Sequence, residues 1–250
     1  MDTVALITGA GREVGRTMAL GLLERGHGVA AVDRDAGPLR ELVSLANGKS
    51  GQLFTIQANL LLPDIVAGVV EQAERRFGRV DILVNNAATG PGRRPGSGRA
   101  LRFWEISDED WHRAVLLSAT VPFLLARRLA PSMIGRGFGR IVTIATARDA
   151  AADGGLPHGP AEAAADAETG AFARDLTGSG VTANVLDLGD GLAPLRPEAI
   201  VKPLLWLLSS GAGAFTGRRL VAAKWDAALP DADAAQAASV ALTGQADPRG

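Results

Sequence analysis

Two hydrophobic rhythms alternate along this chain. One is a set of short apolar runs rich in β-branched residues: VALIT at 4–8, GVAAVD at 28–33, QLFTI at 52–56, VDILVNN at 80–86, RIVTIAT at 140–146, VTANVL at 181–186 and RRLVAA at 218–223. Runs of this kind predict strands buried on both faces. The other is helical spacing. GRTMALGLLERG (15–26) puts Met18, Leu22 and Leu23 on one face and stops at Gly26. PDIVAGVVEQAERRFG (63–78) starts at Pro63, repeats Ile65, Val66, Val69, Val70 and Phe77, and stops at Gly78, the placement expected of proline and glycine at helix ends. Ser107 is a candidate N-cap, with Asp108, Glu109 and Asp110 in the first turn behind it. The alternation predicts an α/β fold: a doubly wound parallel sheet of about seven strands with helices on both faces. The expected domain is residues 1–225. The basic stretch TGPGRRPGSGR (89–99) is expected to be a loop, and the Ala- and Asp-rich residues 226–250 a tail, in part helical, that packs on a neighbour or stays loose.

Composition narrows the function. Apolar residues make up 47 % of the 250 and charged residues 21 %, enough for a substantial core. The 26 basic and 27 acidic residues leave a net charge of −1, which gives no reason to expect nucleic acid or an anionic membrane as a partner. The chain has no cysteine, so disulfides, thiol catalysis and Cys-ligated zinc are excluded, and no metal site is expected. No uninterrupted apolar run approaches the roughly 20 residues of a membrane span. With VALIT close to the start and no signal-like segment before it, the expectation is a cytoplasmic protein.

Seven motifs then occur in a familiar order: TGAGREVG (8–15), Asp33 at the end of the second strand, NNAA (85–88), SDEDW (107–111), GRIVTIAT (139–146), VTAN (181–184) and FTGRRLVAAKW (215–225). Together they resemble the short-chain dehydrogenase/reductase family over residues 3–225. The resemblance implies a Rossmann-like domain with a dinucleotide cleft. It carries over Thr8, Gly9, Gly15, Asp33 and Asn86 as cofactor-binding positions. The glycines would let backbone approach a pyrophosphate at a helix N-terminus, and Asp33 would accept from an adenosine ribose, favouring NAD. Arg12 and Arg34 pull towards a 2′-phosphate, or are simply solvated.

The departures from the family are as informative. Glu13 stands where the family has the middle glycine of TGxxxGxG, either crowding and charging the phosphate turn or swinging into solvent. Asn59 replaces an aspartate near the adenine, Ala88 the last glycine of NNAG, and Leu188 the proline of the turn that borders the nicotinamide. The family's catalytic Asn, Ser, Tyr and Lys correspond to Ser118, Thr146, His158 and Glu162, and this chain contains no tyrosine at all. Glu162 follows His158 by four residues, as lysine follows tyrosine in YxxxK. A His–Glu–Thr acid/base set is one reading, because an unperturbed histidine titrates at about 6.5 and Glu162 could fix its tautomer. The other is that His158 is an ordinary polar residue of an exposed Gly/Pro-rich loop. Where the family carries a long helical lid, only DGLAPLR (190–196) remains.

The resemblance therefore leads first to a catalytically degenerate, non-catalytic subunit of a hetero-oligomeric NAD-dependent hydroxyacyl or alcohol dehydrogenase. Such a chain would pair with an active paralogue, as a heterotetramer, and bind no cofactor tightly, or NAD weakly. Pairings of this kind occur in the family, including acyl-CoA dehydrogenases of anaerobic aromatic degradation. The contact would use the helices near 108–134 and 160–177 and the last strand, with the tail reaching a partner's cleft. Asp166 and Glu168 place charge on a helix the family keeps apolar, which suggests an asymmetric contact. Two alternatives remain. One is a non-redox isomerase, dehydratase or cyclase using His158, Glu162 and Thr146; the other is an NAD-dependent oxidoreductase with a substituted proton donor. Arg93, Arg94, Arg99 and Arg102 could meet an acyl-CoA phosphate or be solvated.

Overall fold

A computed structural model describes residues 3–62, 64–88, 101–145, 155–189 and 197–242. Seven parallel strands form one sheet in the order β3-β2-β1-β4-β5-β6-β7, and an eighth, antiparallel strand closes its edge. They are β1 (Val4–Thr8), β2 (Gly28–Asp33), β3 (Leu53–Gln57), β4 (Ile82–Asn85), β5 (Gly139–Ala145), β6 (Val181–Asp187), β7 (Arg218–Val221) and β8 (Ser239–Ala241).

The continuous apolar runs are explained by burial on two sides. Successive strand residues point to opposite faces. Ala5 and Ile7 of β1 and Val29 and Ala31 of β2 join one core, while Leu6, Ala30 and Val32 join the other. The first core is covered by α1 (Glu13–Glu24), α2 (Ala36–Leu45) and α7 (Val201–Leu208), the second by α3 (Ile65–Phe77), α5 (Val121–Arg136) and α6 (His158–Asp175). Helix stops fall at left-handed glycines, Gly78 after α3 and Gly137 after α5. Ser107 caps α4 (Asp108–Val115) as its position predicts, its Oγ accepting from the Asp110 N–H at 3.0 Å. Pro63, the expected helix start, lies outside the described residues. Helices α4 and α5 are continuous through one wider π-type turn at Leu116–Thr120.

Residues 231–241 are more than a tail. They form α8 (Asp231–Ala237) and β8, and β8 pairs with β7 through Arg218↔Ala241, Arg219↔Val240 and Leu220↔Ser239. The outer edge of β7, which the family resemblance offers as a contact, is thus occupied by the chain's own β8. β8 runs antiparallel to β7, from beside Leu220 towards Arg218. The continuous helix 108–136 is long and apolar enough to cross a membrane by length and composition, despite Arg113, Arg127, Arg128 and Arg136 within it. In this fold α5 instead packs against α3 and β5.

Candidate active site

Strand order reverses between β1 and β4, so the loops after them part and open a cleft at the C-terminal ends of the strands. The cleft measures about 740 Å³ and runs from Asp33, Arg34 and Asn59 past Gly9 and Glu13 to His158, Glu162 and Leu188. Its floor is cross-braced. Thr8 Oγ1 accepts from the backbone N–H groups of Asn86 at 2.9 Å and Ala87 at 3.0 Å. The Asn86 amide in turn donates to the carbonyls of Thr8 at 3.0 Å and Gly9 at 3.1 Å. Thr8 and Asn86 therefore fix the two loops to each other.

Gly9 has φ of 64°. A Cβ on Gly15 would lie 2.1 Å from the Gly9 carbonyl oxygen, so no larger residue fits there. These two glycines keep the tight turn. Glu13, at the place of the family's middle glycine, adopts φ of 43°, the only positive φ of a non-glycine residue in the described chain. The backbone thus retains the left-handed conformation a glycine would take, strained for an L residue, and the exposed Glu13 side chain lines the cleft. Both alternatives posed by the sequence meet here: the carboxylate is solvated, and the turn is still charged.

Asp33 ends β2 as expected. Its two oxygens accept from the N–H groups of Gly11 at 3.0 Å and Asp35 at 3.1 Å, and each keeps a further lone pair. Arg12 and Arg34 converge on Asp35, at 3.0 and 3.5 Å, with both side chains largely exposed. They form a small surface ion cluster beside the adenosine end of the cleft. Asn59 accepts from the Leu61 N–H at 3.2 Å, holding its own turn.

At the other end, His158 begins α6. It is 3 % exposed, which corrects the reading of it as a residue of an exposed loop. The loop's Gly/Pro content predicts solvent, but His158 is the first residue of the helix, whose inner face runs on through Ala161, Ala165 and Thr169. His158 Nε2 donates to Glu162 Oε1 at 3.0 Å, the i, i+4 geometry anticipated from spacing. Ser118 sits in the π-type turn, 7 % exposed, and its Oγ has no hydrogen-bond partner among the described residues. Beneath the cleft, a second cavity of about 20 Å³ is lined by Asn85, Ser118, Thr143, His158 and Glu162. Its size suits a single water, and both amide atoms of buried Asn85 lack partners among the described residues. The structure thus brings Ser118, His158 and Glu162 together. Thr146, the fourth position, lies outside the described residues, as do the shortened lid at 190–196 and Arg93, Arg94 and Arg99.

The sequence reading misses a buried charge network just behind this site. Arg219 of β7, 4 % exposed, donates to both oxygens of Asp166 on α6 at 2.7 Å and also bonds Asp187 of β6. The other Asp187 oxygen accepts from the Gly189 N–H at 2.8 Å, at the turn bordering the cleft. Burial raises the Asp166 carboxyl above its usual range against the pull of Arg219, and burial would lower the Arg219 guanidinium, but its two carboxylates outweigh that and raise it. The signal in the sequence is Arg218-Arg219 inside an otherwise apolar strand. The network engages Asp166 within the chain, where the sequence reading set its charge on a subunit contact. Glu168 differs: burial pushes its carboxyl up to about 7, and its Oε2 has no hydrogen-bond partner among the described residues.

A family model described as short chain dehydrogenase matches residues 3–198. This chain belongs to the short-chain dehydrogenase/reductase family. Two of its relatives in that family are different subunits of one enzyme of Thauera aromatica, (2S)-[(R)-hydroxy(phenyl)methyl]succinyl-CoA dehydrogenase. Subunit BbsD is 32 % identical over 83 % of this chain and 81 % of its own length. Subunit BbsC is 32 % identical over 78 % of this chain and 75 % of its own length. The 3-oxoacyl-[acyl-carrier-protein] reductase FabG of Escherichia coli is 30 % identical over 74 % of this chain and 72 % of its own. Among solved structures, a putative gluconate 5-dehydrogenase from Beutenbergia cavernae with bound NADP superposes with a TM-score of 0.75 at 27 % identity, over 88 % of this chain and 95 % of that one.

Fit to a dinucleotide varies along the cleft. Asp33 keeps an acceptor at the adenosine end, and Gly9 and Gly15 keep the close backbone approach at the phosphate turn. Two other positions do not fit. Glu13 charges the phosphate turn, and an anion, Glu162, holds the place of the family's ribose-binding cation.

Proposed function

We propose that this chain is a non-catalytic subunit of a hetero-oligomeric, NAD-dependent hydroxyacyl or alcohol dehydrogenase, working in the cytoplasm beside an active short-chain dehydrogenase paralogue. The observation that carries the reading is the His158–Glu162 pair. A buried imidazole donating into a carboxylate at 3.0 Å stands where the family needs a phenol beside an ammonium group. No lysine or arginine is left on that turn to hold a ribose. Glu13 adds a second anion on the cofactor's path, so the chain binds NAD weakly or not at all. The fold itself is kept whole, with its cross-braced loops and two cores. Similarity to both BbsC and BbsD, distinct subunits of a single dehydrogenase, supports a paired role.

The test is co-expression with any short-chain dehydrogenase encoded beside it, followed by native mass measurement and a dehydrogenase assay. The reading predicts a stable mixed assembly whose activity survives His158→Ala in this chain. A chain that recruits no paralogue and turns over substrate by itself would end it.

A further inference from the structure

The N-terminus of α1 opens onto the cleft, and a helix N-terminus attracts an anion. Here the chain supplies that anion itself. Glu13 is the first residue of α1 and the one acid of its first turn, and its exposed side chain lines the cleft. Among the described residues its carboxylate forms no ion pair. The three arginines of the cleft wall each face another acid: Arg12 and Arg34 meet Asp35, and Arg113 meets Glu109 at 3.7 Å. The end of the cleft at Asp33 has a different character. Asp33 keeps free lone pairs beyond its two backbone donors. Its carbonyl accepts from the Ala58 N–H at 2.9 Å, which sets buried Ala58 and Leu60 beside it as an apolar wall. An acceptor for a sugar diol next to an apolar wall for a flat base, at the point where strand order reverses, suits a nucleoside.

We infer that the cleft takes a nucleoside whose 5′ group is neutral or cationic, and turns away the same nucleoside once it carries a 5′-phosphate. The ribose hydroxyls donate to Asp33, the base lies towards Ala58 and Leu60, and the 5′ group reaches the turn at Gly9. There Glu13 attracts a cation and repels a phosphate. The close approach kept by Gly15, where a Cβ would lie 2.1 Å from the Gly9 carbonyl, serves such a ligand as well as it would a phosphate. The cleft of about 740 Å³ exceeds a nucleoside, and Leu117, Ile144 and Leu188 line room for a substituent on the 5′ group. The poor fit to a dinucleotide is then a selectivity for another ligand class. The inference goes beyond the subunit reading, because it concerns the cleft of this chain whether or not a paralogue pairs with it.

Isothermal titration calorimetry on the full-length chain, at low salt and near neutral pH, tests this with adenosine, 2′-deoxyadenosine, AMP, NADH and 5′-amino-5′-deoxyadenosine as probes. The expected order of affinity is the 5′-amine, then adenosine, then AMP. AMP should bind about fivefold or more weakly than adenosine, the scale of a carboxylate–phosphate repulsion at an exposed site. 2′-Deoxyadenosine should also bind more weakly than adenosine, having lost a donor to Asp33. Glu13→Gly, and Glu13→Gln as a variant that keeps the side chain's size, should leave AMP at least as tight as adenosine and remove the advantage of the amine, with circular dichroism verifying the fold. Wild-type protein that binds AMP or NADH as tightly as adenosine overturns the inference. So does an order that neither variant changes, or a cleft that binds none of the probes at millimolar concentration. Each of these results leaves the subunit reading standing, and failure to recruit a paralogue leaves this inference standing.

Discussion

Glu13→Gly separates two effects that one residue now combines. The backbone at Glu13 has φ of 43°, which costs an L residue roughly 1–2 kcal/mol relative to glycine. Against this, glycine loses about 0.5–1 kcal/mol through the greater freedom of the unfolded chain. The two nearly cancel, so the melting temperature should move by no more than about 4 °C for a chain of this size. Binding should respond more. A carboxylate about 5 Å from a phosphate is repelled by about 3 kcal/mol at an effective dielectric near 20 and by about 1 kcal/mol in bulk water. The exposed side chain belongs at the lower end, about 1–2 kcal/mol, which is roughly 5- to 30-fold in affinity. NADH fluorescence titration of wild type and Glu13→Gly at about 0.05 and 0.5 M salt measures it. The gain should shrink at high salt as screening shortens the reach of the charge. A dissociation constant unchanged within twofold, or a gain indifferent to salt, refutes the electrostatic reasoning.

Other outcomes follow from the same geometry. Arg219→Met strands Asp166 and Asp187 as buried, unpaired carboxylates and should cost about 3–5 kcal/mol, seen as a large fall in urea midpoint; adding Asp166→Leu should recover part of it. Gly15→Ala forces a Cβ to within 2.1 Å of the Gly9 carbonyl, so it should lower the melting temperature and abolish any residual dinucleotide binding. For Glu168, burial pushes the folded carboxyl up to about 7 from the ordinary carboxyl value of 4.5. The folded state therefore holds that proton more tightly. Its contribution is fully present below about pH 4.5 and is lost as pH rises through about 7, by at most about 3 kcal/mol. Urea melts between pH 5 and 8 should show this decline, and Glu168→Gln should flatten it.

The fold is legible because a strand buried on both faces must be apolar throughout, and VALIT, GVAAVD and VTANVL are. β8 is not: SVA is three residues long, follows an alanine-rich helix and is half exposed, so nothing in its pattern announces a strand. In the site, spacing alone places Glu162 one turn after His158, because that relation is local, while Gly9 and Gly15 are legible only through the resemblance to the family's turn. The burial of His158 escapes it, since glycine and proline around a residue speak for the loop and not for the sheet beneath. The Arg219 network escapes it more completely. Its partners lie 32 and 53 residues away in sequence, and only the sheet order brings them together. An acid on α6 then looks like interface charge until its partner is seen.

The most direct test of the proposed role is steady-state NADH formation from hydroxyacyl-CoA and alcohol substrates. It is measured on this chain alone and on the mixed complex in which this chain carries His158→Ala and Glu162→Ala. The account predicts no turnover above background for the chain alone and a complex within about twofold of wild type. Turnover by the isolated chain at about 1 s⁻¹ or faster, in the ordinary enzymatic range, or a hundredfold loss in the substituted complex, would contradict it.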